Sequence, residues 1–306
     1  KQSSVILAPL TTYAFVNKMM SCPSNSFIND EESCVWIDVR RDYGKHSGDF
    51  EDLGYQQKSW ITQVGTQKEI APNWFVGGSF AYQDSIVEAE DVSVKINTNA
   101  YHLGLFGKHI NGPWQFGLAL NANYATNETN RIMILPLETH KAQSKWDSYF
   151  ASLTWRMAYE TNVGPLQIKP TLDATIFYQN IPAYQESGAG IYNLVAEKQS
   201  KWNGMLSPSI DLTYTTQRND WVIRPYASVG LHYLIDNEWE MESRLQGADK
   251  QDSMVLSTSL SSIIGSYKVG MDLFKNQQWD MKFEYEFKQG SDYTGHSGRI
   301  RAAYHF

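Results

Sequence analysis

Apolar and polar residues alternate along most of this chain. The clearest stretch is 279–288, where Trp279, Met281, Phe283, Tyr285 and Phe287 share one face and Asp280, Lys282, Glu284, Glu286 and Lys288 the other. Residues 166–178 repeat the pattern, setting Leu166, Ile168, Pro170, Leu172, Ala174, Ile176 and Tyr178 against Gln167, Lys169, Thr171, Asp173 and Thr175. The last residues do the same: Ile300, Ala302, Tyr304 and Phe306 oppose Arg299, Arg301, Ala303 and His305. A period of two predicts half-buried strands. Most chain ends fray, so a final strand stopping on an aromatic predicts a terminus tied into a sheet, most simply by closure of a barrel.

Twelve strands are predicted, over 34–45, 58–70, 74–87, 98–110, 114–127, 144–160, 166–180, 201–217, 221–236, 255–274, 278–289 and 297–306. Two kinds of connector separate them. The short ones are 71–73, 111–113, 161–165, 218–220 and 275–277, rich in the turn residues Gly, Pro, Asn and Asp. Trp74, Trp114, Trp221 and Trp279 follow four of them closely. The long ones, at 46–57, 88–97, 128–143, 181–200, 237–254 and 290–295, are polar, and short and long alternate. That alternation predicts tight turns on one side of a membrane and loops on the other. The apolar stripes tend to end in aromatics, which fits two interfacial girdles. Such segments are long for a soluble β-protein, whose strands run about 5–6 residues. Before the strands, residues 5–20 read as a helix with Pro9 in or at its first turn. Residues 21–33, with Pro23, Asn25, Asn29 and Asp30-Glu31-Glu32, read as a loop.

Composition agrees with a membrane barrel. Aromatics reach 13% and charged residues only 19%, while mean hydropathy is -0.44. No apolar run is long enough for a helical span, and half-apolar strands average to a soluble-looking chain. Net charge is -7 with no basic stripe, so nucleic acid is not an expected partner. The chain begins at Lys1 rather than Met and shows no signal peptide, which reads as a fragment or a processed product. Two cysteines, Cys22 and Cys34, are too few for zinc without a His/Cys cluster around them. Two free thiols and one local disulfide both remain open, and the disulfide is preferred because an oxidising compartment fits the rest of this reading.

At this point the chain resembles the C-terminal translocator β-domain of autotransporters, the type V secretion proteins of Gram-negative outer membranes. The likeness rests on Val35-Trp36-Ile37-Asp38-Val39-Arg40, Gly54-Tyr55, Gly65, the run 74–82, Tyr101 to Gly107, Tyr184 to Ala189, Arg224-Pro225-Tyr226 and the ending Gly295-His296-Ser297 through Phe306. The resemblance implies a twelve-stranded barrel with the N-terminal helix inside the pore. It implies a passenger attached at the N-terminus and exported to the cell surface, and the barrel-assembly machinery as a partner. It also implies that Ile300, Ala302, Tyr304 and Phe306 form the assembly signal. Some members cut their linker at an Asn-Asn pair; this chain has none, and self-cleavage is not assigned.

The expected architecture is therefore all-β: a twelve-stranded antiparallel transmembrane barrel over 34–306, with a pore helix and periplasmic-side loop over 1–33. Twelve strands enclose a lumen that wall side chains alone cannot fill. About 16 helical residues span roughly 24 Å, close to the height of the apolar band, so helix 5–20 is the natural plug. Strand parity places Asp38, Arg40, Lys108, Lys169, Asp173, Asp211, Arg224, Asp272, Glu284, Arg299 and Arg301 in the lumen. The bland reading is a solvated, paired wall; the functional one is a hydrophilic surface along which an extended passenger slides. His296 beside Ser297, with Asp292 nearby, is the one loop grouping of hydrolase residue types. No catalytic residue, cofactor or metal site is assigned. A monomer in contact with outer-membrane lipid is expected. Two other classes stay open: a pore for small solutes, and a barrel adhesin or hydrolase acting through its loops.

Overall fold

The alternation becomes a closed wall. In the computed structural model, which describes residues 6–23, 31–48, 54–89 and 94–306, twelve strands form the barrel: β1 (Cys34–His46), β2 (Tyr55–Ala71), β3 (Trp74–Ala89), β4 (Val94–Asn111), β5 (Trp114–Ile134), β6 (Thr139–Tyr159), β7 (Leu166–Ile181), β8 (Gln199–Tyr214), β9 (Trp221–Leu234), β10 (Ile263–Lys275), β11 (Trp279–Gln289) and β12 (Tyr293–His305). Each pairs antiparallel with its sequence neighbours, and β12 returns to β1 in unbroken register from Cys34↔His305 to His46↔Tyr293. Two three-residue strands at tight turns, Thr161–Val163 and Thr216–Arg218, extend the same sheet.

Each of the five tight turns needs a backbone that ordinary L-residues avoid. Asn73, Gly112, Gly164, Asn219, Asn276 and Gln277 supply it, with φ between 53° and 65°. Apolar side chains cover the outer surface, as with Leu103, Leu105 and Leu120. Trp74, Trp114, Trp221 and Trp279 stand exposed at the tight-turn end, and Tyr82, Tyr101, Tyr124, Tyr149 and Trp202 toward the loop end. These are the two girdles expected at membrane interfaces. Contacts tie them into the wall: Trp114 packs edge-on to Tyr159 at 4.9 Å, and Tyr82 lies 5.4 Å from Tyr101.

Several boundaries differ from the sequence expectation. The polar connector 128–143 is mostly strand, because β5 and β6 continue pairing up to Ile134↔Thr139. The single strand expected over 255–274 is two: β10, and Met254–Ser259, which pairs with Glu238–Leu245 outside the barrel. With Leu194–Ala196 and Tyr184–Gln185 these form a four-stranded sheet at the loop end, three of whose strands come from the connectors 181–200 and 237–254 expected to be loops. Apolar residues within those polar stretches, Trp239 and Met241 above all, are what the sheet buries. β12 begins at Tyr293 rather than 297. Val5, the loop residues 24–30 with Asn25, Asn29 and Asp30, and the connector residues 49–53 and 90–93 lie outside the described residues.

The helix α1 (Ala8–Met19) has Pro9 in its first turn and lies within the barrel. Its entry end is apolar. Ile6, Leu7 and Leu10 join a cluster with Tyr55, Val87, Ile96, Trp146, Tyr184 and Trp239, all toward the loop end. Lower down, Phe15, Val16, Met19 and Met20 pack on Ile61, Ala81, Phe106 and Ala119 of β2–β5.

Candidate functional site in the plugged pore

The helix lies close to one wall because that wall has no side chain in its way. A Cβ on Gly104 would come within 2.6 Å of Met19 Sδ and 2.8 Å of a Phe15 ring carbon. Phe15 also stacks on His102 at 5.4 Å. Polar contacts then fix its height and rotation. Gln63 donates to the Phe15 carbonyl (3.0 Å), and Asn123 to Thr12 Oγ1 (3.4 Å). Arg156 forks onto Asp173 with two contacts of 2.8 Å and also donates to Asn17 Oδ1 at 2.6 Å. The Tyr13 hydroxyl donates to the same Asp173 at 2.6 Å. Bidentate, charge-assisted bonds of this kind fix geometry as well as energy.

Where the helix ends, the chain is held at the tight-turn side. Lys108 donates to the Met20 carbonyl (2.7 Å), and Arg301 to that of Ser21 (2.7 Å) while its guanidinium lies over Trp36. Glu31 lies back against this point. Its Oε2 is 3.0 Å from Lys108 Nζ and accepts from the Cys22 amide (2.8 Å) and Gln67 (3.0 Å). Burial pushes the Glu31 carboxyl up, but Lys108 and Lys169 outweigh it and hold the group below the ordinary glutamate value. Cys22 and Cys34 are joined, with Cα atoms 6.4 Å apart, and both are buried against Trp36 and Ala303. His305 reaches Glu32 at 3.0 Å and Asp280 at 3.4 Å, and the Phe306 amide donates to the Ser33 carbonyl at 3.1 Å.

Of the eleven residues that parity assigns to the lumen, Asp38, Arg40, Lys108, Lys169, Asp173, Arg224, Asp272, Arg299 and Arg301 are buried inside the barrel, and Asp211 and Glu284 line its cavity. Asp38 and Glu284 flank Arg299 at 3.0 and 3.5 Å. Asp272 pairs with Lys282 (3.3 Å), Arg40 with Asp42 (3.0 Å), and Arg224 donates to Gln167 (2.6 Å). Asp211 lines a cavity of about 140 Å³ that remains between the helix and strands β7–β11, together with Lys18, Lys169, Arg224 and Glu284. Ile300 and Phe306 are exposed on the outer face, with Ala302 and Tyr304 half-buried beside them. The His296 grouping does not form. His296 lies in β12 against Tyr285 (2.6 Å), while Ser297 donates to Asp42 on β1 and the Asp292 amide to Ser261.

Sequence reasoning passed over Arg156, Tyr13 and Asn17 as helix anchors. Arg156 was within reach, because Trp155 and Met157 beside it are exposed outward and parity turns it in. Glu31 carried no such signal, since it lies in a stretch without alternation, whereas Trp239 and Met241 alternate with Glu238, Glu240 and Glu242 in a connector read as a loop.

Comparison with known proteins agrees with this architecture. The autotransporter β-domain family model matches residues 35–286. The adhesion and penetration protein autotransporter of Haemophilus influenzae is 23% identical over 175 residues, which cover 56% of this chain and 12% of that protein. The chain thus aligns with a small part of that much longer relative. Among solved structures, the translocator domain of the autotransporter NalP from Neisseria meningitidis aligns over 100% of this chain and 98% of its own, with a TM-score of 0.76 at 14% identity. The β-domain of the Bordetella autotransporter BrkA covers 90% of this chain and 100% of its own, with a TM-score of 0.66 at 11% identity. A twelve-stranded barrel plugged by its own N-terminal helix, matched by the family model over most of its length, belongs to the autotransporter β-domain family.

Proposed function

We propose that this chain is the outer-membrane anchor and export unit of a longer autotransporter, and that it carries an N-terminal passenger to the cell surface. The observation that carries this reading is the polarity of α1. Its first residues, Ile6, Leu7 and Leu10, lie among loop-end residues, and Met20 lies beside Lys108 at the tight-turn end. The described part of the helix segment thus begins at the loop end, the side on which a surface passenger would lie. Residues 1–33 act as pore segment and return loop, and 34–306 as the barrel.

In this reading the lumen charges have two duties. Arg156, Asp173, Lys108 and Arg301 hold the helix and its return segment after export. Asp211, Asp272, Arg224, Glu284 and their neighbours keep the rest of the lumen wet and non-adhesive. The Cys22–Cys34 bridge forms in the periplasm and ties the helix end to the first barrel residue. Ile300, Ala302, Tyr304 and Phe306 present the outward edge read by the barrel-assembly machinery, and the barrel works as a monomer in outer-membrane lipid without catalysing a reaction.

The test places an epitope-tagged segment before Lys1, behind a signal peptide, in a Gram-negative host. Antibody binding to intact cells is expected; a tag found only in the periplasm overturns the reading. A solute pore, by contrast, would conduct similarly with and without residues 1–20, whereas removal of the plug should raise single-channel conductance in planar bilayers.

A further inference from the structure

The pairing of β8 with β9 differs from every other pairing in the wall. It has seven residue pairs, in two pieces: Met205 and Leu206 opposite Leu234 and Tyr233, then Ser209 to Thr213 opposite Gly230 to Tyr226. The closing seam of β1 with β12 has thirteen without a break, and β7–β8 on the other side of β8 has sixteen. Two prolines explain the loss. Proline has no N–H to give to a ladder. Pro208 lies in the gap between the two pieces, and the second piece stops at Tyr226, next to Pro225. Across the gap, Ser207 and His232 make a side-chain contact of 2.8 Å.

The wall is also thin there. Pro208, Ser209, Gly230 and Leu231 line the lumen cavity on the inside and, on the outside, an apolar groove of about 880 Å³. Gly230 has no side chain, and a Cβ on it would come within 2.8 Å of Ser209 Cβ. The apolar face of the helix packs on β2–β5, and on its other side Tyr13 reaches β9, edge-on to His232 at 4.8 Å. The unfilled part of the lumen therefore abuts a stretch of wall whose pairing is interrupted at both prolines and resumes only at Thr216–Arg218 opposite Ile223–Trp221.

We propose that the β8–β9 pairing is the expansion joint of the barrel, the place where the wall yields to widen the lumen while a passenger chain passes. The transport part of this proposal rests on the translocator reading above; the mechanical part does not. Ladder hydrogen bonds give a strand pair its resistance to opening, and stretches with fewer of them open first. Yielding at β8–β9 leaves the β1–β12 closure and the Cys22–Cys34 junction intact. It also enlarges the lane beside the helix without disturbing the Gly104 contact.

Hydrogen exchange of the barrel in lipid nanodiscs tests the mechanical part. Peptides over 205–210 and 229–233 should exchange roughly tenfold faster than those over 37–41 and 298–302; equal protection overturns the proposal. Pro208→Val restores an N–H on an outward-facing position and should slow exchange at 229–233. Pro225→Val, at the other end of the ladder, is the second variant if the first fails to assemble. In the full-length protein the assembled variant should lengthen the half-time of passenger appearance at the surface by about twofold or more. Slowed exchange with an unchanged half-time overturns the transport role. Loss of export in wild type as well would instead sink the translocator reading, leaving the exchange result standing.

Discussion

Lys108 and Glu31 meet at 3.0 Å at the foot of the pore helix, both buried. Lys108 comes from β4 of the wall and Glu31 from the return segment, so this pair joins the plug to the barrel. Lys108 also takes the Met20 carbonyl, one of the helix C-terminal carbonyls that have no intrahelical partner, and Glu31 takes the Cys22 amide just beyond the helix.

Removing one member of a buried pair leaves the other charge uncompensated. Lys108→Met should therefore destabilise the docked segment by about 3–5 kcal/mol. Glu31→Gln, which keeps an oxygen for the Cys22 amide, should cost less. Urea titration of the purified barrel, following fluorescence of a dye on the return segment, measures both. An equal loss for the two variants would contradict the assignment.

Acidity should loosen the same junction. The folded-state Glu31 carboxyl lies below its ordinary value because Lys108 and Lys169 outweigh the effect of burial. Its stabilisation is complete above the unfolded-state pKa and is lost as pH falls through the lower folded value. Single-channel conductance recorded from about pH 7 down to about pH 3 should rise at the acid end. Glu31→Gln should flatten that rise; a profile identical to wild type would assign it elsewhere.

Gly104 sets how closely the helix approaches the wall. Gly104→Val would drive branched carbons into Phe15 and Met19, a substitution in the range of about 1–3 kcal/mol for overpacking. The barrel, whose strands do not depend on that contact, should still assemble and migrate as a folded species. Conductance should increase through displacement of the plug. Unchanged conductance in an assembled variant would mean that the helix tolerates the shift.

The cystine should be both stabilising and sealed. A loop of 12 residues contributes about 3 kcal/mol by constraining the unfolded chain. The Cys22→Ser, Cys34→Ser double variant should unfold at lower denaturant by that amount. In the folded protein both sulfurs are inaccessible, so alkylation after mild reduction should label almost nothing until denaturant is added. Rapid labelling of the native barrel would place the bridge at an open surface.

Much of this molecule was legible in particular residues before any coordinates. Trp279 to Lys288 alternates so strictly that β11 could be placed to within a residue. Asn73, Gly112, Gly164 and Asn219 marked tight turns because few other residues accept φ near +60°. Parity put Asp173 and Arg299 in the lumen before their partners were known. The loops resisted for the opposite reason. Residues 237–259 look polar on average, which hides the short alternation of Trp239 and Met241 with Glu238, Glu240 and Glu242; only the folded chain shows where that face turns and that Glu238–Leu245 pairs with Met254–Ser259.

The sequence by itself determined what repeats: strand number, sides of the wall, turn positions and the aromatic end of β12. These follow from local sterics and from a period-two pattern that any membrane wall imposes on each strand separately. Only the tertiary structure decided what depends on distant residues meeting. It set the helix against β2–β5, brought Arg156 to Asn17 and Glu31 to Lys108, and left β8–β9 with seven pairs. Those choices depend on which bulky, small and charged groups face one another across the lumen, and no stretch of chain read alone contains that relation.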